Sequence, residues 1–182
     1  MSVARGCGPQ RIVCLTEEPT EVLYALGEQH RIVGISGFTV RPAIARREKP
    51  KVSAFTSARI GEILKLEPDF VIGFSDIQAE IASSLIKQGV EVWISNHRSV
   101  DGILDYVLRL GALVGAADKA RVYADTLRIN LDAVAAQAGA LAVGKHDRAD
   151  HRHQQDDPRR LEQEQVLGVE QPPDRLDVLD VG

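Results

Sequence analysis

Aromatic residues are scarce in this chain of 182 residues, and they are unevenly placed. Phenylalanine, tyrosine and tryptophan together make up 4% of the sequence, and all of them lie between Tyr24 and Tyr123. Residues 145–182 contain none. Because aromatic side chains supply much of the area that a core buries, we predict that this last segment builds no core of its own.

Residues 1–144 also lack a net charge. The chain has 22 basic and 26 acidic side chains. Residues 145–182 hold six of the basic and ten of the acidic ones, so that residues 1–144 carry sixteen of each. A neutral body has no basic surface for phosphates, and we therefore predict that nucleic acid is not a partner.

Long apolar runs and cysteines are few. No run approaches the roughly 18 residues of a membrane span, so we predict a chain that is not membrane-spanning. The first ten residues lack an apolar stretch, which predicts no secretory signal and a cytoplasmic chain as encoded. Cys7 lies in that polar start, whereas Cys14 lies in an apolar strand pattern and is predicted to be a core residue. These different contexts predict no disulfide framework.

Motifs of the common catalytic chemistries are absent. The sequence has no G-x-G-x-x-G after a strand, no G-x-x-x-x-G-K-[ST] and no G-x-S-x-G. Ile77 occupies the place of the second glycine in the nearest approach to the last motif, so Ser75 is interpreted as a helix-capping or cleft-edge residue. We interpret His146, His151 and His153 as part of a solvated segment rather than a metal site. The sequence therefore predicts no enzyme, no metal and no cofactor.

Strand and helix patterns alternate along the body of the chain. The predicted strands are Arg11–Leu15, Arg31–Ile35, Asp69–Gly73 and Glu91–Ser95, with a short extended piece near Val52–Phe55. Amphipathic helix patterns separate them, and an apolar stripe predicts one long helix over residues 117–143. This alternation predicts an α/β fold, a three-layer Rossmann-like lobe whose parallel sheet has helices on both faces.

The predicted strand ends carry the candidate functional residues, because ligands of parallel sheets bind beyond the carboxyl ends of the strands. The sequence places carboxylates, aromatic rings, basic side chains and an amide there, at Glu17, Glu18, Phe38, Arg41, Phe55, Phe74, Asn96, His97 and Arg98. Aromatic faces with a few polar groups suit a large, rigid, partly apolar ligand. The set therefore favours a binding cleft over a catalytic centre.

Three segments of the chain, RIVCLTEEPTEVLYALG, RIVGISGFTVRP and KVSAFTSARIGEILKLEPDFVIGFSD, are distinctive. They resemble the cobalamin and iron-siderophore substrate-binding proteins of ABC importers, and the cobalamin-binding members most closely. The resemblance covers about Arg11 to Leu141, and its most specific parts are Thr20-Glu21 and the L-x-P-D-[LF]-V-I run at Leu66–Ile72. It implies two α/β lobes joined by a rigid helix, a ligand in the groove between them, and a periplasmic or cell-surface location.

The resemblance also implies roles for individual residues. Aromatic residues at the positions of Phe38, Phe55 and Phe74 line the groove, and a glutamate at the position of Glu80 docks on the membrane permease. Thr16 is followed by Glu17 and Glu18, where many members have a proline. Two added carboxylates disfavour an anionic ferric siderophore and favour a corrinoid or another neutral or cationic ligand. Cobalamin is then a ligand rather than a cofactor.

The domain prediction follows from the same resemblance. It has a disordered N-terminus (1–10), an N-terminal substrate-binding lobe (11–116), a connecting helix (117–143), and a disordered tail (144–182) in place of the second lobe, so that the substrate-binding component is truncated. Two explanations of the tail stay open, a natural disordered segment or a reading-frame change near Gly144, and the abrupt change in composition favours the second.

Two alternative functions remain at the sequence level. A small cytoplasmic α/β enzyme would use His97 and Arg98 with Glu17 or Glu18 at the strand ends. A cytoplasmic ligand sensor would use the same cleft without chemistry.

Overall fold

A computed structural model describes the chain over residues 8–155, with side chains described up to residue 138. Its centre is a five-stranded sheet in the order β3-β2-β1-β4-β5, and all four pairings are parallel. The strands are β1 (Ile12–Cys14), β2 (Ile32–Ser36), β3 (Lys51–Ser53), β4 (Phe70–Phe74) and β5 (Val92–Ser95). The predicted α/β class is confirmed, and the short extended piece near Val52 is a true strand at one edge.

Helices connect the strands. They are α1 (Glu17–Ala25), α2 (Ala45–Glu48), α3 (Ile60–Lys65), α4 (Ala79–Ile86), α5 (Val100–Leu113) and α6 (Ala117–Gln155). Single 3-10 turns at Gln29–Arg31 and Asp76–Gln78 precede β2 and α4. None of the helices within residues 8–155 combines the length and the apolar character that crossing a membrane requires.

Both faces of the sheet are covered, because the central strand is apolar on both sides. Ile12 and Cys14 of β1 pack in one core cluster with α1, α5 and the start of α6. Val13 and Leu15 pack in a second cluster with α3 and α4. Burial raises the pKa of the Cys14 thiol to about 12, so this cysteine is the inert core residue that its context predicts.

The helix starts follow the sequence only in part. Ser99 caps α5, because its Oγ accepts a hydrogen bond of 3.0 Å from the Gly102 amide. The start of α4 is less direct, since Asp76 begins a 3-10 turn and α4 starts three residues later. The preceding residue, Ser75, has a φ of 66°, and this left-handed conformation redirects the chain before α4 can begin.

The boundaries of the folded body differ from those predicted. Gly8–Gln10, which fall in the predicted disordered N-terminus, are attached to the body, where the Gln10 amide donates to Asp69 and the Pro9 carbonyl accepts from Arg31. Helix α6 continues to Gln155, twelve residues beyond the predicted end at residue 143. Its apolar stripe is exposed from residue 131 onward over the described side chains.

The predictions for residues 1–7 and 156–182 lie outside the described residues. The prediction for the histidine side chains at residues 146–153 lies outside the described side chains as well. The compact unit ends at Leu131. All of the predicted site residues fall within it.

Candidate functional site

The carboxyl ends of the five strands meet at one edge of the sheet because every pairing is parallel. The predicted site residues follow these ends. Glu17 and Glu18 begin α1 after β1, Phe38 and Arg41 follow β2, Phe55 follows β3, Phe74 ends β4, and Asn96, His97 and Arg98 follow β5. The structure thus carries residues from all five strand ends to the same side of the molecule.

Exposed apolar side chains line this edge. Phe38 is 60% exposed, Phe55 39% and Ile77 50%, and Val40 is exposed beside Phe38. Together with the half-buried Phe74 they form what we call the apolar rim (Phe38, Val40, Phe55, Phe74 and Ile77). Sequence analysis missed Val40 and Ile77, which lie in the loops that follow predicted strands. Clustered exposed apolar side chains are typical of a binding surface.

A row of rings in tilted contact continues inward from the rim, with interplanar angles between 34° and 48°. The Phe74 and His97 ring centroids are 4.9 Å apart, and those of His97 and Tyr106 are 5.1 Å apart. The Tyr106 ring also lies 5.3 Å from that of Trp93. His97 is therefore held between two rings, and Tyr106, which the sequence pattern placed only on a helix, is part of the site.

Arg98 is held over the outer face of this row. Its guanidinium carbon lies 5.3 Å from the centroid of the Phe74 ring, which is a cation–π distance. Nη2 of Arg98 donates to the Ser75 hydroxyl at 3.0 Å and lies 3.6 Å from Asp76. The Ser75 hydroxyl donates to Asp76 at 2.6 Å, and this bond is the main cause that lowers the pKa of the Asp76 carboxyl. The Ser75 hydroxyl thus links Arg98 to Asp76 and makes no capping hydrogen bond to the turn that follows.

Several polar atoms at this edge are buried and have no hydrogen-bond partner among the described residues. They include Oε2 of Glu18, Oγ1 of Thr39, Nδ1 of His97 and the hydroxyl of Tyr106. Burial, and then the neighbouring Cys14 and Glu18, raise the pKa of Tyr106 well above its usual range. Glu17, in contrast, is exposed. The two predicted carboxylates therefore differ, since only Glu18 faces the buried side of the site.

Arg41 and Glu80 are two predicted site residues that are not members of the row of rings. Arg41 forms an ion pair with Glu21 of α1 at 3.2 Å, beside a cavity of about 460 Å³ that Tyr24 and Tyr123 also line. Glu80 is exposed in the first turn of α4, close in sequence to Ile77 of the rim. Arg41 thus contacts α1 through its ion pair with Glu21. The Glu80 carboxylate is exposed to solvent.

Two open cavities flank β5. One, of about 350 Å³, lies against α5 and is lined by His97 and Tyr106. The other, of about 650 Å³, lies against α4 and is lined by Ser75 and Asp76. Asn96 lines both cavities, so its amide can reach a group on either side of the strand end.

Gln78 is a further residue that sequence analysis missed. It is fully buried, and its amide Oε1 accepts a hydrogen bond of 2.9 Å from the Phe74 backbone amide. Its Nε2 donates to the backbone carbonyls of Phe55 at 2.9 Å and of Leu15 at 3.4 Å. A glutamine that occurs in a short polar stretch has no feature that would reveal this role from sequence alone.

Comparison with known proteins identifies the family. A family model described as "Periplasmic binding protein" matches residues 12–148. A cobalamin-binding protein of Halobacterium salinarum is 25% identical over 135 residues, which are 73% of this chain and 36% of that protein. A vitamin B12-binding protein of Vibrio campbellii is 26% identical over 129 residues, 70% of this chain and 46% of that protein. The chain spans less than half the length of these curated relatives.

Solved structures agree with this assignment. A periplasmic vitamin B12-binding protein of Vibrio cholerae has a TM-score of 0.63 and 24% identity over 71% of this chain and 51% of that chain. A periplasmic heme-binding protein of Pseudomonas aeruginosa has a TM-score of 0.67 and 24% identity over 72% of this chain and 48% of that chain. At this identity the structures establish the fold alone. Because the family model covers most of the sequence, the chain belongs to the periplasmic binding protein family.

Proposed function

We propose that this chain is a substrate-binding component of an ABC importer and that it binds a corrinoid such as cobalamin at the apolar rim. The observation that carries the proposal is the row of rings in tilted contact at the strand ends, with Arg98 held over Phe74 beside exposed Phe38 and Phe55. A corrinoid is a large, rigid macrocycle with an apolar surface and a polar periphery. Exposed aromatic faces beside a few polar groups match that surface.

The charges at the site support a corrinoid over an anionic ligand. Glu17 and Glu18 begin α1 directly after the central strand, and Glu18 lies near the buried Tyr106. Carboxylates repel the negative charge of a ferric siderophore or of haem propionates, whereas the amide groups of a corrinoid carry no charge. The Asn96 amide and the Arg98 guanidinium supply donors for amide oxygens.

The proposal contains no reaction and no resident cofactor, because the corrinoid is the cargo. Glu80 is proposed to contact basic groups of a membrane permease, which its exposure on α4 permits. The location that fits this role is the periplasm or the cell surface. The named relatives that bind cobalamin or vitamin B12 support this reading of the chain.

Titration of the 182-residue chain with cyanocobalamin tests the proposal. Visible absorbance and calorimetry would measure binding, with haemin and a ferric siderophore as competing ligands. We expect cyanocobalamin to bind more tightly than either anionic ligand. Phe74→Ala and Phe55→Ala should each weaken binding about tenfold, since a buried aromatic contact is worth roughly that much at an interface.

A matched pair of isoleucines provides the control. Ile77 is 50% exposed on the rim, whereas Ile129 is 67% exposed on α6 and lines none of the cavities described above. We expect Ile77→Ala to weaken binding and Ile129→Ala to leave it unchanged. Cyanocobalamin affinity that is unaffected by both phenylalanine variants, or tighter binding of haemin, would contradict the proposal.

A further inference from the structure

The buried amide of Gln78 connects parts of the chain that the sheet itself does not connect. Phe55 follows β3 and Phe74 ends β4, and β2 and β1 lie between these two strands. No ladder hydrogen bond can therefore join the two phenylalanines. Gln78 joins them directly, because one end of its amide accepts from the Phe74 amide while the other donates to the Phe55 carbonyl.

A side-chain amide can make this connection without carrying a charge. The Phe74 backbone group is a donor and the Phe55 group is an acceptor, so the bridging side chain must accept and donate at once. An ionised carboxylate accepts only, and a hydrocarbon does neither. The Phe55 carbonyl accepts from Gln78 alone among the described residues.

The surroundings of Gln78 are fitted to its position. A Cβ at Gly73 would lie 2.5 Å from Oε1 of Gln78, so any larger residue at position 73 would push the amide away from Phe74. The Leu15 carbonyl, which receives a long bond from Gln78, also accepts from the Ser53 hydroxyl at 3.3 Å. The amide is thus held at the ends of β1, β3 and β4 together.

We propose that Gln78 is a positioning residue that fixes the Phe55 and Phe74 backbones relative to each other, and so sets the spacing of the aromatic surface to which the ligand binds. Its effect on affinity rests on the proposed function, whereas its effect on the two backbones does not. It touches no ligand itself, because it is fully buried.

The first test needs no ligand. Amide hydrogen exchange, followed by NMR on the whole chain, would compare Gln78→Leu with Ile81→Val, a conservative change in the core of the same helical segment. We expect exchange at Phe74 to become at least about tenfold faster in Gln78→Leu, since a buried donor loses its acceptor, and to be unchanged in Ile81→Val. Equal protection of Phe74 in Gln78→Leu and in the wild type would overturn the inference.

The second test uses Gln78→Glu, which stays informative if Gln78→Leu does not fold. When protonated, a glutamic acid has one O–H donor for the Phe55 carbonyl and one acceptor for the Phe74 amide, as glutamine does. When ionised it has no donor. Burial raises the pKa of such a carboxyl, so the two forms interchange in an accessible pH range.

The measured quantity is the cyanocobalamin affinity of Gln78→Glu divided by that of the wild type at the same pH. We expect binding about tenfold weaker than wild type at pH 8 and within about twofold of it at pH 5, with circular dichroism showing a folded chain at both. A ratio that does not change with pH would indicate a merely structural role and overturn the inference. If the wild type binds no cyanocobalamin, the proposed function fails, and the exchange at Phe74 alone decides the inference about Gln78.

Discussion

At the amino ends of the strands one buried polar atom, Oε1 of Gln29, has no partner among the described residues, whereas at the carboxyl ends several have none. The Asp69 carboxylate accepts hydrogen bonds of 2.8 Å from the backbone amides of Gln10 and Arg11. The Arg11 guanidinium donates to the carbonyls of Leu66 and Glu67. The loops at this end are therefore fixed by hydrogen bonds of the chain itself.

The opposite end has most of the features that cost stability. Oε2 of Glu18 and Nδ1 of His97 are buried with no partner among the described residues, and Phe38 is largely exposed. A positive φ occurs at both ends, at 66° for Ser75 and 46° for Glu67. We propose that the amino end serves mainly stability and the carboxyl end mainly binding, and substitutions can test this division.

The largest loss of stability is expected at the amino end, for Arg31→Ala. Arg31 is buried, and its guanidinium donates to Glu28 and to the carbonyls of Pro9 and Val114. Its removal leaves a carboxylate and two carbonyls without their donor, so we expect a loss of about 3 kcal/mol in the free energy of unfolding. Urea unfolding measures it, and unchanged cyanocobalamin affinity of the folded variant would support the division between the two ends.

The pH dependence of that loss sharpens the same comparison. Burial tends to raise the pKa of Glu28, but its hydrogen bond and charge attraction to Arg31 outweigh burial and lower it below its ordinary value of 4.5. A lowered pKa in the folded state gives stability that is present above pH 4.5 and is lost as the pH falls through the lowered value. The gap between wild type and Arg31→Ala should therefore be smaller at pH 3 than at pH 7. A gap that is constant with pH would show that the carboxylate plays no part.

A smaller effect on the free energy of unfolding is expected at the carboxyl end, where two variants of Ser75 can be compared with each other. Its φ of 66° and ψ of 167° lie in a region that suits glycine. We expect Ser75→Gly to be about 1 kcal/mol more stable than Ser75→Ala, because both lose the hydroxyl but only glycine relieves the backbone. Both should weaken cyanocobalamin binding, since Arg98 loses its hydrogen bond. Equal unfolding midpoints for the two variants would argue against strain at this end.

The division between the two ends was only partly visible in the sequence. The fold followed from periodicity, because strands such as Ile32–Ser36 and Phe70–Phe74 are continuous apolar runs between helices with one apolar face. Periodicity was less specific where an element is short, because it indicated only a short extended piece near Val52–Phe55, whereas the pairing with β2 identifies the three residues of β3 as a strand. It failed at the end of α6, since polar residues that form a helix carry no apolar stripe to mark them.

The site was predictable to the extent that it depends on strand ends. Phe74, His97 and Arg98 follow buried strands, and parallel pairing alone brings them together. Gln78 and Tyr106 were missed because their roles come from tertiary contacts, a buried bridge between backbones and a ring packed against His97. Arg41 follows a strand as well, but its attraction to Glu21 draws it to α1, and no pattern in the sequence reveals that choice.

The smallest effect on stability, and the sharpest separation of the two ends, is expected for Phe38→Ser. Phe38 is 60% exposed and belongs to neither core cluster. Replacing it should change the free energy of unfolding by about 0.5 kcal/mol or less, as for most surface positions, because little of the ring is buried. The same change removes an aromatic face from the rim, so we expect about tenfold weaker binding of cyanocobalamin.

Val122→Ser is the control for that substitution, because Val122 is 67% exposed on α6 and lies outside the rim. It should alter neither the urea midpoint nor the affinity. If Phe38→Ser lowers the midpoint as much as it lowers the affinity, the ring contributes to folding and the carboxyl end is not specialised for binding. If it lowers the affinity alone, the exposed phenylalanine is retained for the ligand, since the fold gains nothing from it.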